Sequence, residues 1–103
     1  MSEEDIKILT EEEIRERLKE IPGWDYKENK IFKEFAFSGF LRALEFINNL
    51  ASFFEEKDHH PDIHINYKKV LFELTRHSVG GKVTERDFGV AKRIEQEYKN
   101  FPD

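Results

Sequence analysis

Cysteine is absent from the 103 residues, which removes disulfides, thiolate metal sites and thiol nucleophiles together. Long apolar runs are missing as well. Charges interrupt every hydrophobic stretch far short of the roughly 18 residues a membrane span requires. The sequence has no basic start followed by an apolar segment of the kind that marks a secretory signal. Positive charge is in deficit, with 17 Lys and Arg against 22 Asp and Glu and a net charge of −5. No cluster of Lys and Arg is long enough to track phosphates, which argues against sequence-independent nucleic-acid binding. These absences predict a cytoplasmic protein with neither membrane nor nucleic acid as partner, although any reducing or neutral compartment suits a Cys-free chain. The length allows one domain, residues 1–103, with one core.

What is present is charge and hydrophobic periodicity. Charged residues make up 38% of the chain, a bias seen in heat-adapted proteins and equally on any helical surface. The first nine residues are polar and are expected to fray. Thr10 and Glu13 form a capping box that opens a helix, with Ile14, Leu18 and Ile21 as its stripe and Pro22-Gly23 as its stop. Trp24-Asp25-Tyr26 reads as extended, Glu28-Asn29-Lys30 as a turn, and Ile31–Phe37 as a strand interrupted by Lys33.

Ser38 is placed to cap a long helix running to about Lys57. Its stripe is Phe40, Ala43, Leu44, Ile47, Leu50, Ala51 and Phe54, with Leu41, Phe46 and Phe53 lying off it. A domain this small covers a second apolar helix face only with difficulty. The surplus is either a thick core or a subunit contact, and the contact is the expectation. Two strands follow. Ile63, Ile65 and Tyr67 alternate in one, and Val70, Phe72 and Leu74 in the next, which carries Thr75 and His77 on its other face and ends at Gly80-Gly81. Thr84 caps a last helix with Phe88, Ala91, Ile94, Tyr98 and Phe101 inward. The order α-β-β-α-β-β-α predicts an α+β two-layer sandwich: a four-stranded antiparallel sheet with helices packed on one face.

All four histidines fall between positions 59 and 77, with Glu55, Asp58 and Asp62 nearby. His59 and His60 stand where the long helix ends, and Pro61 forces His60 out of the helical region. The negative end of a helix favours protonated imidazole, and Glu55, one turn before His59, shares its face if the helix persists. Such an imidazolium suits general acid catalysis; it also suits a plain helix C-cap. His77 is either a solvated strand end or, if the hairpins converge, a neighbour of His59 and His60. His64 alternates with Ile63 and Ile65 on the polar side and is expected at the surface. Its spacing of four from His60 resembles a zinc-binding helix, but Pro61 and the strand pattern argue against a helix there, so no metal is expected. Asp87, three residues after Thr84, reads first as a capping side chain and second as a pocket residue. Trp24, the single Trp, reads as core, with a wall for a flat ligand as the alternative.

The segment Glu55-Glu56-Lys57-Asp58-His59-His60-Pro61, followed by Tyr67, His77 and Asp87, resembles the signature of the pterin-4a-carbinolamine dehydratase family. The similarity extends through Ile31–Phe37, Phe40 and Ala43, back to Gly23-Trp24 and on to Thr84-Glu85-Arg86-Asp87. The resemblance implies an α+β fold, assembly as dimers or tetramers, here through helix 38–57, and no cofactor. It implies dehydration of a 4a-hydroxy-tetrahydropterin to quinonoid dihydropterin and water, as in tetrahydrobiopterin recycling. By position it makes His59, His60 and His77 catalytic, with Glu55, Pro61, Arg76, Ser78, Val79 and Asp87 bordering the pterin and Trp24 near it. Within it, His59 and His77 are assigned as acids and His60 as orienting group or base. One departure is the loop Ser78–Val83, a residue longer than in animal members, which bears on Ser78 and Val79 but not on His77. Two alternatives accompany this reading: a dimerisation or coactivator module, as animal members are for a homeodomain transcription factor, and pterin handling linked to molybdopterin metabolism.

Overall fold

The computed structural model describes residues 7–103. Helix α1 (Glu11–Leu18) starts at Thr10 as the capping box requires: the Thr10 hydroxyl accepts from Glu13 N–H, and the Glu13 carboxylate accepts from Thr10 N–H. Strands β1 (Asp25–Lys27) and β2 (Lys30–Ala36) form a hairpin. Its two-residue turn, Glu28-Asn29, has both φ values positive, the geometry that matches strand twist in tight hairpins. Helix α2 (Phe40–Lys57) leads to β3 (Asp62–Asn66), β4 (Lys69–Leu74) and helix α3 (Glu85–Asn100). The sheet is antiparallel throughout, in the order β1-β2-β4-β3. The predicted α+β architecture is the observed one.

Alternation in the strands sets the core. Ile31 pairs with Leu74, and Phe35 pairs with Val70; all four are buried, together with Phe72. They face the helices, where Phe35, Phe37, Phe46, Phe72 and Tyr98 pack ring against ring. Lys33, which breaks the apolar alternation, lies on the same face but carries its ammonium out to Glu95 and the Pro22 carbonyl. A long aliphatic stem with a polar tip permits this. The opposite face holds His64, bonded to Glu73 at 2.8 Å, and Lys30 between Asp62 and Glu73.

Several local expectations are corrected. Residues 1–6 of the segment expected to fray lie outside the described residues. The remainder of that segment is tied down: Leu9 is buried and its N–H bonds Val83 O, while Ile8 bridges to Thr84. The N-cap of α2 is Gly39, not Ser38. Ser38 instead donates through its N–H and hydroxyl to the Asp103 carboxylate, so a contact 65 residues away outcompetes the local cap.

The face that α2 buries is also rotated from the expected stripe. Ala43, Phe46, Leu50 and Phe54 are the buried residues, and Phe46 is wholly enclosed, whereas Phe40 and Leu41 are 46% and 77% exposed. Phe46 is therefore core rather than surplus, and Phe53 packs partly buried against that core. At 3.6 residues per turn, positions 43, 46, 50 and 54 span one face as well as 43, 47, 50 and 54 do. The Phe37 and Phe101 rings beside Phe46 decide between them. The apolar remainder is the other flank, Phe40, Leu41, Leu44 and Ala51.

Candidate active site

The site is built where α2 ends. Asp58 takes the left-handed conformation (φ 51°, ψ 45°), and His59 N–H bonds back to Phe54 O at 3.1 Å, a closure typical of helix C-termini. This reversal turns His59 inward, to 4% exposure. The buried Pro61 then starts the chain into β3. Glu55, expected on the His59 side, instead meets exposed His60, with Oε1 3.0 Å from Nε2. The helix does not persist past Lys57, so the one-turn spacing to His59 never applies.

The last carbonyls of a helix lack intrahelical partners. Two arginines from elsewhere supply them here. Arg86, in the first turn of α3, donates to Lys57 O. Arg76, just past β4, donates to Asp58 O at 3.2 Å and stands 3.3 Å from His59 Nδ1. Both cations also lie at the negative end of the α2 dipole. Arg76 is 4% exposed, so its contacts are made away from bulk water.

Asp87 occupies the other side of the His59 ring. It is fully buried, with Oδ1 2.5 Å from His59 Nε2 and Oδ2 accepting the backbone N–H of Thr84 at 2.8 Å. The capping and pocket readings of Asp87 thus describe one side chain, because a carboxylate has an oxygen for each task.

His77 is not on a strand. Strand β4 stops at Leu74, and His77–Val79 form a single 3₁₀ turn. This short loop is clasped by a bridge between Arg76 and Lys82 and closed by Gly80 and Gly81, both at positive φ. Left-handed backbone at two successive positions is the reason for the glycine pair. His77 and Ser78 are exposed and Val79 is half-buried, and the His77 ring hydrogen-bonds none of the described residues. Because Arg76 reaches Asp58 and His59, the segment 75–79 is held beside the segment 58–61.

The structure thus brings His59, Arg76, Asp87 and Thr84 into one buried cluster, with the exposed His60–Glu55 pair following His59 in the chain and exposed His77 following Arg76. It does not bring Trp24 there: Trp24 is a core residue, edge-on to Phe35 at 6.1 Å, and its indole N–H donates to Glu95 at 2.8 Å. A cleft of about 590 Å³ between α2 and α3 is lined by Phe53, Lys57, Arg86, Gly89 and Arg93 among others, and none of the histidines lines it. Asp58 and Arg86 carry no assigned role in the sequence reading. Their roles rest on helix-end carbonyls, which carry no residue-level signal.

A family model described as pterin 4 alpha carbinolamine dehydratase matches residues 7–97. A protein of Sulfolobus acidocaldarius is 48% identical over 86 residues, covering 84% of this chain and 93% of its own length. One from Aquifex aeolicus is 37% identical over 96 residues, covering 93% and 96%. Both are named, provisionally, as pterin-4-alpha-carbinolamine dehydratases. The crystal structure of a transcriptional coactivator/pterin dehydratase from Brucella melitensis superposes with TM-score 0.82 at 33% identity, over 88% of this chain and 98% of that one. A pterin dehydratase-like protein described as a RuBisCO assembly factor in the alpha-carboxysome superposes with TM-score 0.57 at 27% identity, over 72% and 84%.

Proposed function

The chain belongs to the pterin-4a-carbinolamine dehydratase family, and on that premise we propose that it dehydrates a 4a-hydroxy-tetrahydropterin in the cytoplasm by histidine acid–base catalysis. The observation that supports the proposal is the buried His59–Asp87–Arg76 cluster, with exposed His60 next in the chain to His59 and exposed His77 next to Arg76. In the reaction the C4a–O bond breaks. The leaving oxygen takes a proton and departs as water, the lone pair of the adjacent N5 forms the C=N bond, and a ring N–H proton is lost to a base. The substrate's own nitrogen drives the departure, so a positioned acid and a base are the groups required.

In this reading His59 and His77 are the acids, and His60, partnered by Glu55, orients the pterin or serves as base. His59 has one ring nitrogen against Asp87 and the other against Arg76, which fixes the orientation of its ring. Pro61, Ser78 and Val79 border the pterin, while Trp24 contributes through the core. The test is an assay of the purified protein on 4a-hydroxy-tetrahydropterin. Quinonoid dihydropterin should form faster than in buffer, and a rate equal to the uncatalysed one would refute the proposal.

A second reading, of an assembly surface, is favoured by the exposed flank of α2. Phe40 and Leu41 are open to solvent with half-buried Leu44 beside them, an apolar patch suited to a second copy of the chain. We assign homo-oligomerisation to this flank rather than to Phe46 and Phe53. It is compatible with the enzyme reading.

A further inference from the structure

The cleft between α2 and α3, about 590 Å³ in volume, carries positive charge on both walls. Lys57 stands on the α2 side, and Arg86, Lys92 and Arg93 stand on the α3 side. Glu85 also lines it, but its carboxylate is taken by Arg17 at 2.7 Å. Lys92 is paired with Glu20. Lys57 and Arg93 form no salt bridge among the described residues; Arg93 lies instead over the Phe53 ring, 5.1 Å from its centroid. A chain of net charge −5 thus keeps uncompensated cations on both sides of one cleft.

Two features give the cleft its direction and its depth. Arg86, Gly89, Arg93 and Gln96 recur at steps of three and four, which aligns them along one side of α3 for about 15 Å. Gly89 is exposed in the interior of that helix, where glycine costs stability relative to alanine. Neither the helical backbone nor the packing of this chain calls for it, since a Cβ added there would meet nothing within 4 Å. What the bare Cα provides is room on the cleft floor.

We propose that this cleft is a docking groove for an acidic peptide segment of a partner protein. Carboxylates of the segment meet Lys57 and Arg93, and an apolar side chain settles against Phe53 above Gly89. A compact anion needs donors that converge on one point, whereas these cations are strung along a groove, as in the capture of acidic motifs by basic clusters. Phe53 and Leu44 are nine residues apart, about two and a half helical turns, so the groove and the apolar flank lie on opposite sides of α2. A second copy on the flank leaves the groove open. The proposal does not depend on the dehydratase reading, since none of the histidines lines the cleft.

Fluorescence polarisation with a fluorescein-labelled peptide of repeated Glu-Glu-Leu units, added to the purified full chain, reads the contact. The peptide should bind saturably at about 0.15 M ionic strength and more weakly as salt rises. Lys57→Glu with Arg93→Glu should weaken binding by about tenfold or more, because like charges then meet across the contact. Gly89→Leu fills the floor without changing any charge and should weaken it as well. Absence of saturable binding would overturn the proposal, as would binding unchanged in either variant. So would a Lys-Lys-Leu peptide or a thymidine oligonucleotide that binds as tightly as the acidic peptide. Dissociation of an oligomer by the charge reversal, read by sedimentation, would make a second copy the occupant and overturn it too. The salt series and the competing ligands use the wild-type chain, so they decide even if a variant fails to fold.

Discussion

Replacing Asp87 by Ala tests whether one buried side chain serves both helix α3 and the histidine. The carboxylate accepts from Thr84 N–H at 2.8 Å and meets His59 Nε2 at 2.5 Å, with no solvent exposure. Loss of a helix-capping bond costs about 1 kcal/mol. A buried His59 N–H left without an acceptor costs a further 1–3 kcal/mol or so. The sum, roughly 2–4 kcal/mol, takes a large share of the roughly 5–15 kcal/mol that holds a domain folded. For about 100 residues it lowers the melting temperature by roughly 10–30 °C. Asp87→Asn should not rescue it, because an amide offers one acceptor where two donors wait. Urea unfolding at neutral pH reads the free energy, and a double-mutant cycle with His59→Ala should give a coupling of about 1 kcal/mol or more. An Asp87→Ala protein within about 0.5 kcal/mol of wild type, the scale of ordinary surface substitutions, would refute the reasoning. So would strict additivity of the two substitutions.

Other perturbations separate the remaining assignments. Phe46→Ala empties a fully enclosed site and should cost about 3–5 kcal/mol in denaturant unfolding, while Leu41→Ala, at 77% exposure, should stay within about 0.5 kcal/mol. Leu41→Glu combined with Leu44→Glu should shift the protein to monomers in sedimentation; unchanged sedimentation would count against the α2 flank as the contact. His64→Ala should leave turnover unchanged, since His64 lies on the outer sheet face with Glu73. His77→Ala should lose activity toward the low end of the about 10²–10⁴-fold typical of a positioned acid or base, because the uncatalysed dehydration is itself appreciable. If His59 and His77 serve opposite faces of the pterin, their Ala variants should discriminate between the substrate's two epimers in opposite senses. The Thr10 N–H holds the Glu13 carboxyl below its ordinary value of 4.5. The cap's contribution is therefore complete above that value and lost as the pH falls through the lowered one, and Glu13→Gln should remove that part of the acid dependence of unfolding.

Much of this protein was determined by local rules that the sequence states directly. The Thr10 capping box, the Glu28-Asn29 turn, strand alternation at Ile31, Phe35, Val70 and Phe72, and the break at Pro61 each depend on residues within a turn or two of one another. Together with the His59-His60-Pro61 to Asp87 pattern they sufficed for the fold class and the family. Only the tertiary structure decided the rest. Which flank of α2 is buried depends on Phe37 and Phe101, distant in sequence, and not on the helix's own period. Ser38 leaves its cap for Asp103. His77 leaves the strand because two left-handed glycines and the Arg76–Lys82 bridge close a loop there. Above all, His59 faces inward because Asp58 reverses the chain and Arg76 and Asp87 grip the ring from either side. A histidine's chemistry is set by the partners of its two nitrogens, and those partners lie 17 and 28 residues away.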